Sequence, residues 1–253
     1  MKTIKIDNEK IYKGTLLLVN ADYPYKEKDT EGQIPVDSRF PNIRLKKNAA
    51  NILQFILEKI GAEASIVPVS GYRSEEEQTG IYNDSLIENG EEFTRKYVAL
   101  PSHSEHETGQ AIDLGLNKEN IDFICPDFPY KGICDEFRKV APQYGFIQRY
   151  TREKEKITGI SHEPWHFRYV GYPHSKIITE LGLSLEEYIE FIKNYTSSCK
   201  FSYMTSSGAR IEVYYVPKGT DETLIEIPNG AVYQISGNNI DGFIVTLWRK
   251  SNE

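Results

Sequence analysis

Ser104-Glu105-His106-Glu107-Thr108-Gly109-Gln110-Ala111-Ile112-Asp113 is the stretch around which the rest of this chain organises. Polar turn residues and a glycine lead into Ala111-Ile112-Asp113-Leu114-Gly115-Leu116, where strict alternation puts Ile112, Leu114 and Leu116 on one face and Ala111, Asp113 and Gly115 on the other. This predicts a strand whose back packs on a core while its front leaves space beside a single carboxylate. Gly109 lets the chain fold back, so that His106 and Asp113 can reach one point in space.

About fifty residues on, Glu163-Pro164-Trp165-His166 supplies a second histidine with a carboxylate three residues away. Two histidines and an aspartate offer three nitrogen or oxygen ligands, which leaves the fourth position of a tetrahedral zinc ion open for water. Cobalt and nickel suit the same donors. His106, Asp113 and His166 are therefore the candidate ligands, and Glu163 is the candidate proton acceptor. On a regular strand Glu163 and His166 would face opposite sides, so Pro164 is expected to break the regularity, with Glu163 ending a loop and His166 in the strand. His103 and His162 lack a pattern of their own and are expected at the surface or behind the ligands. Glu105 and Glu107 read most simply as solvated turn residues, and a supporting place behind the ligands is the other reading.

Periodicity extends outward from these motifs. A helix is predicted over residues 45–60, with Gly61 at its C-terminal cap, then a strand over 65–69 in which Pro68 argues for an edge or a bulge. Ser74 and Glu77 have capping-box spacing, so a second helix should open there and run to about residue 86. Arg73 then stands at a strand-to-helix junction, where rigid neighbours can aim it into a cleft. A short strand is expected over 15–19, a surface loop over 21–41, a helix over 135–144, strands over 146–150 and 166–170, and a helix over 183–195. Beyond residue 200 strand-like runs alternate with Gly, Asn and Asp turns. The expected fold is α+β, a central antiparallel sheet flanked by helices around a zinc cleft, with residues 1–199 as the main domain and 200–253 as a small β appendage.

The 253 residues carry 30 basic and 37 acidic side chains, a net charge of −7, and neither sign is gathered into a block. This argues against nucleic acid as a partner, since such binding rests on a basic footprint. No apolar run approaches the roughly 20 residues that cross a bilayer, and Asp7 and Glu9 interrupt the N-terminus before a signal peptide could develop. A cytoplasmic protein is expected. Cys125, Cys134 and Cys199 are an odd, sparse set without metal-site spacing and are read as reduced thiols, with a Cys125–Cys134 bridge as the alternative.

These residues resemble the zinc D-alanyl-D-alanine peptidases of the VanX, VanY and VanXY kind. Ser104, His106 and Asp113 meet the family's Ser-x-His and following Asp, Glu163 and His166 its Glu-x-x-His, and Ser70 to Ser74 with Gln78 its upstream Ser-Gly-Tyr-Arg-Ser. Length and the early sequence look most like the bifunctional VanXY type, of the kind found in a VanG-type cluster. The resemblance covers the first 200 or so residues. It implies one zinc ion on His106, Asp113 and His166, Glu163 as general base and proton donor, and Arg73 stabilising the tetrahedral oxygen. Ser104 and Gln78 would contact the substrate, although Ser104 could equally cap its turn. The implied activity is D,D-dipeptidase or D,D-carboxypeptidase action on D-Ala-D-Ala, or on the terminal D-Ala of peptidoglycan precursors, linked to vancomycin resistance. A zinc fold that binds a wall peptide or protein without turnover is the alternative from another class.

Overall fold

The computed structural model describes residues 1–27 and 32–249. In chain order it contains β1 (Lys2–Asp7), β2 (Gln33–Pro35), β3 (Arg44–Lys46), α1 (Lys47–Lys59), β4 (Ile66–Ser70), α2 (Glu75–Tyr97), β5 (Ala111–Leu116), α3 (Gly132–Val140), β6 (Phe146–Tyr150), α4 (Glu155–Thr158), β7 (Glu163–Tyr169), α5 (His174–Leu181) and α6 (Leu185–Lys193). Strands β8 (Phe201–Met204), β9 (Arg210–Pro217), β10 (Glu222–Ile227), β11 (Val232–Gly237) and β12 (Gly242–Trp248) follow. Contacts divide the chain into Val19–Ser184 and a second unit made of Met1–Leu18 with Leu185–Glu253.

The larger unit is built on a four-stranded antiparallel sheet in the order β4-β5-β7-β6. Ile112, Leu114 and Phe167 turn one face of it into a core shared with Leu53 and Ile56 of α1 and Phe137 of α3. Phe128, Phe137 and Phe167 meet edge to face, with ring centroids 5.0–6.0 Å apart, an arrangement favoured by the aromatic quadrupole. Ser74 and Glu77 form the expected capping box at the start of α2. Gly90, at φ 80° and ψ 168°, breaks that helix near the expected end, in a conformation that suits glycine. β4 is an edge strand with a register shift between Pro68 and Ser70, as a proline without an N–H to donate requires.

The second unit holds a four-stranded antiparallel sheet, β11-β12-β9-β8, and the pair β1-β10. Ile6, Ile11, Tyr214, Ile225, Phe243 and Val245 pack in its core. The α+β expectation holds, while the expected boundary at residue 199 is displaced. Six residues of β1 pair with β10 and α6 groups with the late strands, so both chain ends build the β unit. Residues 15–19 form no strand. Leu16 and Leu18 are buried, but their N–H groups reach the Ser236 hydroxyl and the Asn238 carbonyl, so burial replaces a ladder. The helix expected over 135–144 is α3 followed by a 3-10 turn at Ala141–Tyr144. Residues 28–31 of the expected loop lie outside the described residues. The three cysteines form no disulfide.

Phe167 is fully buried at the meeting point of the aromatic trio. Phe167→Ala should lower stability by about 3–5 kcal/mol, the usual loss for a buried phenylalanine. Chemical denaturation followed by tyrosine and tryptophan fluorescence checks this, and an unchanged midpoint would contradict the core assignment.

Candidate metal centre

Sheet register brings the site together. Asp113 of β5 lies directly opposite His166 of β7, and Ser70 of β4 lies opposite Asp113 on its other side. His106 arrives from a separate element, a 3-10 turn over Glu105–Thr108. Ser104 caps that turn by accepting from the His106 N–H, and Glu107 returns the bond to the Ser104 N–H. Gly109 ends the turn at φ 68°, and a side chain there would press within 3.2 Å of Lys46. Glycine at this point is what allows a tight return from His106 into β5.

His106 places Nε2 3.1 Å from Asp113 Oδ2 and gives Nδ1 to the Gly71 carbonyl at 2.7 Å. That bond fixes the tautomer, with the proton on Nδ1 and the lone pair on Nε2 facing the aspartate. His166 is turned the other way, with Nδ1 2.9 Å from Asp113 Oδ1 and Nε2 3.4 Å from Glu105 Oε2. One donor atom from each of His106, Asp113 and His166 lies within 4.8 Å of the others, and all three residues are buried. Ligand atoms around a tetrahedral zinc stand roughly 3.3 Å apart for bonds of about 2.0 Å, so this donor set fits the ion in both chemistry and spacing.

Glu163 sits 3.7 Å from His166, and its carboxyl is pushed up to about 8, first by burial and then by the negative charges of Asp113 and Glu105, against the pull of His166 and Arg73. Asp113 responds in the opposite direction. Burial alone would raise its carboxyl, but the two histidines outweigh that and hold it well below the usual range. Arg73 donates from Nε to the Ser70 hydroxyl at 2.8 Å and reaches Asp113 at 3.3 Å and Gln78 at 3.3 Å. The Gln78 amide in turn donates to the Ala99 carbonyl at 2.8 Å. These groups line a cleft whose walls also include Phe123, Tyr150 and Trp165.

All seven residues singled out in the sequence therefore border one cleft: His106, Asp113, His166, Glu163, Arg73, Ser104 and Gln78. Two expectations are corrected. Glu163 directly follows the irregular segment 159–162 but belongs to the ladder, as the first residue of β7. It faces His166 because β7 advances four positions, from Glu163 to Phe167, while β6 advances two, from Tyr150 to Gln148. A bulge thus resets the alternation, where Pro164 alone was expected to do so. Glu105 is not solvated in its turn and takes its other reading, a place behind the ligands. Its side chain is fully buried, with Oε1 2.9 Å from both Arg149 Nε and Arg168 Nη1. Of the remaining histidines, His103 holds the Asn20 carbonyl and His162 stacks on Tyr130.

Residues 42–172 match the VanY D-alanyl-D-alanine carboxypeptidase family. Over 182 residues the chain is 44% identical to the bifunctional D-Ala-D-Ala dipeptidase and D-Ala-D-Ala carboxypeptidase VanXYC of Enterococcus gallinarum, covering 71% of this chain and 95% of that one. It is 66% identical, with a TM-score of 0.96, to the crystal structure of the vancomycin resistance D,D-dipeptidase VanXYg bound to a D-Ala-D-Ala phosphinate analogue, covering 98% of this chain and 99% of that one. A D,D-pentapeptidase VanY mutant from a VanB-type resistance cassette, solved with Zn(II), is 28% identical with a TM-score of 0.55 and covers 69% of this chain and 98% of its own.

Burial works against a charged His166, but its hydrogen bonds to Asp113 and Glu105 prevail and raise its pKa to about 9. At pH 7 the metal-free ring is thus protonated, and an ion can take Nδ1 only by displacing a proton. Zinc binding at pH 7 should release about one to two protons per ion, Glu163 supplying the second, and affinity should climb from pH 6 toward pH 9. Calorimetry in buffers of different ionisation enthalpy measures the release, and an affinity independent of pH would contradict it.

Proposed function

The chain belongs to the VanY family of D-alanyl-D-alanine carboxypeptidases, and from that membership we propose that it is a zinc-dependent D,D-peptidase acting on D-Ala-D-Ala and on the terminal D-Ala of peptidoglycan precursors. The observation that carries this reading is the convergence of His106, Asp113 and His166 beside a buried Glu163 and Arg73. A relative that performs both the dipeptidase and the carboxypeptidase reaction and a similar structure holding a phosphinate analogue of D-Ala-D-Ala support the substrate. Removal of D-Ala-D-Ala termini ties the activity to vancomycin resistance. The compartment we assign is the cytoplasm, where free dipeptide and precursor pentapeptide are made. No helix among the described residues is long and apolar enough to cross a membrane.

His106 Nε2, an Asp113 oxygen and His166 Nδ1 would hold one zinc ion. Bound zinc supplies Lewis acidity, polarising the scissile carbonyl and acidifying a water molecule. Glu163 takes the proton of the attacking water and returns it to the leaving amine. Its buried place 3.7 Å from His166 suits it to do both. Arg73 turns a fixed cation toward the carbonyl oxygen as negative charge develops there. Its brace of Ser70 and Gln78 means that no reorganisation is needed when the charge appears. Gln78 thus acts first on Arg73, because its amide oxygen and nitrogen are both engaged. Ser104 caps the His106 turn and lines the cleft, where its hydroxyl can also donate to the substrate's terminal carboxylate.

Release of D-alanine from D-Ala-D-Ala and from a pentapeptide precursor by the zinc-loaded protein tests the proposal. Glu163→Gln should lose about 10²–10⁴-fold in kcat while retaining zinc. Turnover of neither substrate at full zinc occupancy would sink the peptidase reading. Arg73→Ala should lose about 10²–10³-fold, mainly in kcat, and a change confined to KM would reassign Arg73 to substrate binding.

A further inference from the structure

Of the three described carboxylates that line the cleft, Asp113, Glu163 and Glu105, only the last has no part in the proposed chemistry. Its side chain has no exposed surface, and neither have those of Arg149 and Arg168, which approach the same oxygen at 2.9 Å from β6 and β7. Burying an ion pair is expensive, and hydrophobic residues of similar volume would often serve stability as well or better. The second oxygen, Oε2, faces His166 Nε2 at 3.4 Å, on the side of the ring opposite Asp113.

We infer that Glu105 is a positioning residue for the metal centre: anchored by Arg149 and Arg168, it accepts the Nε2–H of His166 and thereby commits Nδ1 of that ring to the ion. The inference rests on the proposed ligand set. It follows from the two histidines turning opposite ring nitrogens toward Asp113. His106 gives its Nδ1–H to an uncharged backbone carbonyl at Gly71, which leaves Nε2 as donor. His166 must present the other nitrogen, because β7 delivers its ring with Nδ1 toward Asp113. An acceptor is then required behind Nε2, and a carboxylate there both selects the tautomer and makes Nδ1 a stronger donor. Two guanidinium groups occupy Oε1 and leave Oε2 for the imidazole.

The experiment compares zinc affinity, by competition with a chromophoric chelator, in the wild type and Glu105→Gln, with unfolding midpoints measured on the same samples. The amide keeps size and one acceptor and removes the charge. Zinc affinity should weaken by about 10–100-fold in folded protein. In parallel, the zinc-loaded wild type labelled with ¹⁵N-histidine should show a proton on Nε2 of His166 and a ligating Nδ1, with the reverse at His106. This second readout needs no substitution, so it decides the matter even where Glu105→Gln does not fold. Wild-type affinity retained in the folded variant, or Nε2 as the ligating nitrogen of His166, would overturn the role given to Glu105 alone. Failure of the wild type to hold zinc would overturn the ligand set, and this inference with it.

Discussion

The cross-strand pairing of Asp113 with His166 is the constraint on which the rest of the site depends. In an antiparallel sheet a slip of one residue sends every side chain to the other face. Here a slip would carry Asp113 into the aromatic core and bring Ile112 or Leu114 to the cleft. Apolar burial of Ile112, Leu114 and Phe167 therefore holds the register that the polar groups need. The carboxylate so placed is then surrounded. His106 comes from the preceding turn, His166 from the neighbouring strand and Arg73 from the end of β4, each within 3.3 Å of an Asp113 oxygen.

Two carboxylates a short distance apart are driven in opposite directions by their partners. Asp113 faces two imidazole nitrogens and accepts a hydrogen bond from a guanidinium, and it stays ionised despite full burial. Glu163 is equally buried and has no comparable set of donors, so desolvation dominates and its carboxyl rises. Divergent environments of this kind suit Asp113 to the ionised ligand and Glu163 to the proton carrier of the proposed reaction. Arg73 belongs to both. It reaches Asp113 at 3.3 Å while Ser70 and Gln78 hold the rest of its guanidinium.

Much of this was legible in the residues because the signals are local. His106 and Asp113 are seven apart on either side of a glycine, Ser74 and Glu77 write their own cap, and 111–116 alternates without fault. What escaped depends on distant segments. Glu105, beside Glu107 in a polar turn, looks solvated until Arg149 and Arg168, 44 and 63 positions away, are folded against it. The placement of Glu163 needed a bulge that only the register between β6 and β7 reveals. The domain boundary was missed because β1 finds its partner, β10, more than 200 residues on. A strand was expected at 15–19 because apolar, branched residues read alike in a strand and in a buried irregular segment.

The division of labour between the two units follows from where the residues fall. Every side chain assigned to the chemistry lies within residues 42–172, the span that matches the family, and the β unit contributes none of them. The VanXYC relative aligns over 182 residues that make up 95% of its own length, which leaves no room in it for a β unit of this size. The likeness to VanXYg covers 98% of this chain and so extends over both units. The β unit's ladders join the first residues to the last third of the chain, so losing β1 would strip β10 of its partner while leaving the sheet that carries Asp113 and His166 intact.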